Sequence, residues 1–429
     1  MIQFAVWGAG TLGKIVMDML GEERIAACID NNKDLQGSTY RGTPVLRYGQ
    51  YQEQFKDIPI ITTPKGHEEE IIQQMNQNDK LIAYKWLEEM DALRGFWMQA
   101  PKEKVLEPYA EKERIIVYGD CLLSVILTFF FRDRGCAVDN VFPKSMNEKK
   151  QKYYEEIFKM NPVDLKDVRG DIILGQELPE ADKQLVQEQG IVTDSFYDLG
   201  LKKELYHNPA IERFRDIHRN ERCFIVATGP SLRMEDLSTL HEKGEICISV
   251  NGILRAFDQT KWRPDYYVVS DAACTMAWRE KILELDVKEK FIADIAWIYG
   301  DEDVDAHIYK WHLQIERYDN EYPEFSEDFS RLSYWGDTVT YEGALQLAVY
   351  LGFKEIFLLG VDCSYNGNKM EHFIEDYFCA GFANMDHQRV IRAYESARRY
   401  ADEHGIKIYN ATRGGELEAF ERRDFDSIW

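Results

Sequence analysis

Three times along the chain an apolar strand runs straight into a glycine-bearing turn that opens a helix. Residues 2–7 lead into Gly8, residues 114–118 into Gly119, and residues 223–227 into Gly229. A strand returned to its own sheet through a helix must lie parallel to its predecessor. The pattern therefore selects an α/β fold, several Rossmann-like parallel sheets flanked by helices. Further strands are expected at 25–29, 58–62, 138–142, 171–174, 245–250, 266–270, 290–295, 355–359 and 407–410. Helices are expected at 14–20, 341–351 and 387–403. A chain of 429 residues accommodates two or three domains. We place them at 1–95 (a Rossmann-like nucleotide- or dinucleotide-binding type), 105–205 (a second small α/β domain) and 208–429 (the largest α/β domain).

Composition excludes several functions. The 45% hydrophobic fraction is enough for packed cores. A formal net charge of -23 opposes binding to nucleic acid, which needs a basic face to displace counterions. The first eight residues lack a basic leader segment, and the longest apolar run, 121–131, is half the length a membrane helix needs. A cytoplasmic protein with no membrane span is the expectation. The eight cysteines are scattered with no Cys-x-x-Cys pair, as reduced core thiols would be.

Gly8-x-Gly10-x-x-Gly13 sits between a strand and a helix. The first glycine permits the turn, the second lets backbone approach a pyrophosphate, and the third lets the helix pack on the strand. Asp30, at the end of the next strand, is placed to accept from a ribose hydroxyl. An NAD-like ligand and a packing-only role both stay open. The stretch from Ile29-Asp30-Asn31-Asn32 to Thr43-Pro44-Val45 resembles small N-terminal Rossmann domains fused to bacterial surface-sugar enzymes.

The C-terminal half carries more. Thr228-Gly229-Pro230-Ser231-Leu232 ends a strand with a hydroxyl and backbone N–H groups at the carboxyl edge of a sheet, where anions bind. Asn251-Gly252 ends the next strand, where an amide could read a base or a ribose. Asp271 and Asp362 end two more strands, and Thr338 and Thr340 lie in a polar loop before an apolar helix. Each residue singly reads as a cap or a turn. Together they describe one crevice along the carboxyl edge of an open sheet. His372 and His387 are candidate general bases for an attacking hydroxyl, with His372 the first choice, and Tyr365 a candidate for contact with the leaving group. Aromatic stretches at Trp297, Trp311 and Trp335 read either as core or as the subunit interface of a homo-oligomer, ahead of an acceptor platform.

The run Ala-Thr-Gly-Pro-Ser-Leu, then Ser-Val-Asn-Gly, then Arg-Pro-Asp-Tyr-Tyr-Val-Val-Ser-Asp, then Thr-Val-Thr-Tyr-Glu-Gly through Leu-Gly-Val-Asp resembles the MptE-like superfamily. That group includes the 6-hydroxymethylpterin diphosphokinases and the Maf motility accessory factors, linked to nonulosonic-acid glycosylation of flagellin. The same run is similar to the small bacterial CMP-sialic-acid sialyltransferases. The resemblance covers residues 208–425. It implies that Gly229, Pro230, Ser231, Asn251 and Gly252 bind the nucleotide, with Thr338 and Thr340 lining the same crevice. It places Asp271 and Asp362 at the reacting phosphates, through Mg²⁺ if the chemistry is diphosphoryl transfer. Sialyltransferases of this type use a histidine in a loop after the Gly-x-Asp strand.

Three functions follow as expectations. One is a bacterial glycosyltransferase that takes a CMP-linked or other nucleotide sugar to a glycan acceptor in surface-glycan or flagellin glycosylation. Another is a Mg²⁺- and ATP-dependent diphosphokinase acting on a pterin-like alcohol. The third is a non-catalytic nucleotide-binding module.

Overall fold

The computed structural model describes residues 2–63, 67–76, 81–82, 102–146, 148–196, 199, 203–296, 307–314, 321–364, 372–374 and 387–429. The fold is α/β and multi-domain, with parallel sheets flanked by helices. The chain forms two compact units, Met1–Leu205 and Tyr206–Trp429.

The described residues of the first unit include the strands β1 (Phe4–Trp7), β2 (Ile25–Ile29), β3 (Thr39–Tyr40), β4 (Thr43–Leu46), β5 (Ile60–Thr62), β6 (Leu81–Ile82), β7 (Arg114–Tyr118), β8 (Ala137–Val141), β9 (Ile172–Leu174) and β10 (Thr193–Ser195). They make a six-stranded sheet ordered β3-β4-β2-β1-β5-β6 and a four-stranded sheet ordered β10-β9-β7-β8. Among the described residues only the β3–β4 pair is antiparallel. The two sheets share one core. Phe4 of β1 packs 6.2 Å from Phe129 and 5.9 Å from Phe158, between ring centroids. The 11-residue apolar run becomes the helix Leu122–Asp133, and its Leu123, Val125 and Leu127 are fully buried in that core. Arg24 is 3% exposed, pairs with Asp133 and lies 4.1 Å over the Phe129 ring. A charge so buried is tolerable because it is both paired and stacked.

The second unit is built on one wholly parallel sheet. Its strands are β11 (Arg222–Val226), β12 (Cys247–Val250), β13 (Tyr266–Val269), β14 (Glu289–Ala293), β15 (Ile308–Trp311), then β18 (Glu355–Leu359), β19 (Lys407–Asn410) and β20 (Glu421–Arg422). Two short strands, β16 (Leu313–Gln314) and β17 (Ser333–Tyr334), pair apart from it. The order is β15-β14-β13-β12-β11-β18-β19-β20. Residues 223–226 are all 0% exposed, because helices cover both faces of a parallel sheet. Strand order reverses between β11 and β18. That switch point opens a crevice at the carboxyl ends of the two strands, and the Gly-Pro-Ser turn and Asp362 both fall there.

Candidate functional site

The turn after β11 is locked to the turn after β18. Gly229 N–H donates to Gly360 O at 2.9 Å, and Leu232 N–H closes the turn onto Gly229 O at 3.1 Å. Ser231 Oγ donates to Asp362 Oδ2 at 2.8 Å, and Ser231 N–H approaches the same oxygen at 3.4 Å. A Cβ at position 229 would lie 2.0 Å from Asp362 Oδ2 and 2.4 Å from Gly360 O, so only glycine fits. Gly415, at φ +75°, presses on Asp362 from the other side, and Glu416 N–H donates to Asp362 O at 2.7 Å. Asp362 is 7% exposed; burial pushes its carboxyl up and the Ser231 bonds pull it back. The sequence gives the donors of this turn to a phosphate. In the structure they serve Asp362 and the turn's own backbone. The other carboxyl oxygen, Asp362 Oδ1, has no hydrogen-bond partner among the described residues.

One strand over, Asn251 follows β12 with φ 43°, a left-handed conformation that few residues other than glycine adopt. Tyr267 Oη donates to its main-chain oxygen at 2.7 Å and holds it there. Its Oδ1 is buried and without a hydrogen-bond partner among the described residues. Gly252 follows it, buried in the short helical turn Asn251–Ala256. Asp362 and Asn251 thus present two acceptor oxygens, one from each of two strand ends that flank β11. A ligand rich in hydroxyl or amino donors would satisfy both.

Asp271 follows β13. Its Oδ1 accepts from Cys274 N–H at 3.3 Å and its main-chain oxygen from Thr275 N–H at 3.0 Å, the pattern of a helix N-cap. β13 and β18 are three ladder steps apart, about 14 Å between strand axes at the usual spacing. Two carboxylates that share one Mg²⁺ approach within about 4 Å of each other, given metal–oxygen distances near 2.1 Å. Among the described residues no three His, Cys, Asp or Glu side chains converge as metal ligands.

His372 lies against the first turn. Its Nδ1 is 3.3 Å from both Thr228 Oγ1 and Thr228 O, and the adjacent Phe373 N–H donates to Thr228 O at 3.0 Å. Burial lowers its pKa to about 4, so the ring is neutral at physiological pH. His387 opens the helix His387–Glu403. In the same first turn Arg389, 2% exposed, pairs with Asp337 at 3.5 Å and lies 5.1 Å over the Trp335 ring. Thr338 O accepts from the N–H groups of Tyr341 and Glu342, starting the helical segment in which Thr340 is buried. Tyr365 and Trp297 lie outside the described residues. Trp311 is a core residue, 1% exposed, with its Nε1–H donating to Ser333 Oγ at 2.8 Å.

Two buried clusters at the same edge are absent from the sequence reading. Glu342, 5% exposed, accepts from Ser270 Oγ and from Gly336 N–H. His312 is hydrogen-bonded to Asp294 at the ends of β15 and β14, under the stacked ring of Tyr206. A lone carboxylate inside an apolar helix was the available signal for Glu342. Nothing in the local sequence pairs residues 294 and 312.

In the first unit the glycine loop divides its labour. A Cβ on Gly13 would lie 1.7 Å from Gly8 O, whereas one on Gly10 would meet nothing within 4 Å. Gly8 adopts φ 117°. Asp30 turns back on the loop: Oδ2 accepts from Ala9 N–H at 2.6 Å and Oδ1 from Asn32 N–H at 2.7 Å.

An open, wholly parallel sheet with a locked Gly-Pro-Ser turn at its switch point makes the second unit an α/β domain of the doubly wound class. Residues 201–368 match the family described as 6-hydroxymethylpterin diphosphokinase MptE-like. The structure of the MAf glycosyltransferase from Magnetospirillum magneticum AMB-1 is similar over 74% of this chain, at 14% identity and a TM-score of 0.32; the match covers 58% of that chain. No curated protein matches the chain.

Proposed function

We propose that the C-terminal unit is a glycosyltransferase that holds the nucleoside end of a nucleotide sugar, of the CMP-linked type, in the crevice between β12, β11 and β18. The observation that carries this reading is the pair of acceptor oxygens, Asp362 Oδ1 and Asn251 Oδ1, beside a turn rigid enough to fix them. Ribose hydroxyls and the amino group of a base are the donors such a pair selects.

In the reaction the acceptor hydroxyl attacks the anomeric carbon. The new C–O bond forms as the bond to the phosphate oxygen breaks, and the electron pair leaves on the nucleoside monophosphate. A base takes the hydroxyl proton. Burial holds His372 at about 4, too low for a base at the working pH, which leaves His387 as the candidate. His372 instead holds the Gly-Pro-Ser turn through Thr228. The diphosphokinase reading needs Asp271 and Asp362 to share Mg²⁺, and their strand ends are too far apart to favour it. A cytoplasmic site of action and a role in surface-glycan synthesis belong to the same proposal.

The test is a titration of CMP, UDP and ATP into the full chain by calorimetry, with and without Mg²⁺, followed by hydrolysis of CMP-linked sugars. CMP binding without metal, lost in Asn251→Ala, supports the reading. ATP binding that needs Mg²⁺ overturns it in favour of the diphosphokinase. Tight CMP binding with no turnover on any acceptor leaves a binding module.

A further inference from the structure

Residues Thr340–Leu345 form a π-helical turn ahead of the helix Gln346–Tyr350, a wide turn that recurs at functional sites. It packs hard on the sheet. A Cβ on Gly343 would lie 2.4 Å from Val268 of β13 and 3.5 Å from Trp311 of β15. That contact fixes where Glu342, the preceding residue, enters the interior.

The carboxyl of Glu342 meets two walls of the crevice. From the end of β13, Ser270 Oγ donates to Oε1, with Asp271 next in the chain. From the loop after β17, Gly336 N–H donates to Oε2 at 3.3 Å, with Asp337 next in the chain at φ 59°. Asp337 in turn faces Arg389 from the last helix. Burial is the main force on Glu342 and raises it to about 7; the Ser270 and Gly336 bonds oppose this, and the charges of Asp337 and Asp271 add to it. Both contacts are donors. Only a carboxylate accepts from both at full strength, and a protonated carboxyl gives up one acceptor oxygen.

We propose that Glu342 is a positioning residue: its ionised carboxylate ties the strand end Ser270–Asp271 to the loop Gly336–Thr338 and, through Asp337 and Arg389, seats the first turn of the helix that begins at His387. This rests on the reading of His387 as the base. Near neutral pH the site is then half assembled, and it tightens as the pH rises, although Glu342 itself touches no substrate.

Trp335 reports on the linkage without any activity, because it precedes Gly336 and lies under Arg389. The experiment measures the fluorescence contributed by Trp335, as wild type minus Trp335→Phe, across pH 5.5 to 9. The expected signal titrates near about 7 in the wild type and stays flat in Glu342→Gln. Ser270→Ala removes a bond that favours the carboxylate, so the midpoint moves upward. A signal that titrates unchanged in Glu342→Gln, or not at all in the wild type, overturns the proposal. The second arm is the pH profile of sugar transfer. Glu342→Gln lowers kcat about tenfold or more, leaves the donor KM within about twofold and leaves an acid limb, set by the base alone, that Ser270→Ala no longer shifts. Wild-type kcat in Glu342→Gln, with an acid limb that Ser270→Ala still shifts, also overturns it. If the wild type transfers no sugar at any pH, the glycosyltransferase reading fails, and the Trp335 titration still decides whether Glu342 holds the two walls.

Discussion

Ser231 Oγ donates to Asp362 Oδ2 at 2.8 Å, a side-chain bond that joins the two strand ends flanking the switch point of the large sheet, alongside the main-chain bond from Gly229 N–H to Gly360 O. Asp362 is therefore held by the Gly-Pro-Ser turn and holds it in return. A hydrogen bond to a charged group contributes about 1.5–3 kcal/mol, so a double-mutant cycle between Ser231→Ala and Asp362→Asn returns a coupling in that range. The sign with pH is set by burial. The folded carboxyl is raised above its unfolded value, and losing Ser231 raises it further. Ionising it in the fold becomes harder, so the penalty of Ser231→Ala grows as pH rises above the carboxylate range. Denaturant unfolding at pH 5 and pH 8 checks this, with the larger loss at pH 8.

Gly229→Ala tests the same joint by steric means. The added Cβ meets a buried carboxylate and a backbone oxygen, neither of which can move far. We expect a loss of about 3 kcal/mol, at the upper end for overpacking, together with loss of nucleotide binding. Thermal unfolding and calorimetric titration of the variant measure the two effects separately.

Much of this architecture was legible because short continuous apolar runs alternating with helices leave few folds open. The strands Ile25–Ile29, Arg114–Tyr118, Glu355–Leu359 and Lys407–Asn410 and the helix His387–Glu403 have the bounds read from the sequence. Strand β15 was missed, since Ile-Tyr-Lys-Trp is short and gains its identity only by pairing with β14. The expected helix 341–351 begins instead with a π-helical turn, because the close approach of Gly343 to Val268 is a tertiary constraint. The site was legible in its membership and not in its wiring. Asp362 and Ser231 were both singled out, but that each occupies the other follows only from the adjacency of β11 and β18. Asp30 is a parallel case, its carboxylate turned onto Ala9 and Asn32.

The N-terminal loop offers a clean separation of packing from binding. Gly13→Ala puts a methyl 1.7 Å from Gly8 O and should cost about 2–3 kcal/mol. Gly10 has φ −73° and open space beyond it, so Gly10→Ala should stay within about 0.5 kcal/mol of wild type. If the loop holds a dinucleotide, Gly10→Ala still weakens it, because the methyl occupies the approach of the pyrophosphate. Calorimetry with NAD on the two variants and wild type decides between a ligand loop and a packing loop.

Asn251 should show a trade between stability and function. Its left-handed backbone is strained for a residue with a Cβ, and its buried Oδ1 lacks a donor. Asn251→Gly removes both penalties and should raise stability by about 0.5–1 kcal/mol. The same change removes an acceptor that the nucleoside needs, and CMP affinity should fall about tenfold. A melting temperature that rises while binding weakens is the expected pair of results.

The acid limb of stability should carry the mark of His372. Its folded pKa, about 4, lies below the ordinary 6.5, since burial against Thr228 disfavours the charged ring. A depressed histidine leaves stability intact above about 6.5 and drains it as the pH falls towards 4, because the unfolded chain takes up the proton first. Partial exposure trims the effect to about 1–2 kcal/mol at pH 4.5. Glu342 acts in the opposite sense: its raised carboxyl favours the fold at low pH and loses that advantage between about 4.5 and 7. The comparison is therefore wild type minus His372→Gln at each pH, which cancels Glu342. The difference in melting temperature should change in the variant's favour between pH 7 and pH 4.5. A constant difference across that range would mean that the imidazole is not held neutral against Thr228.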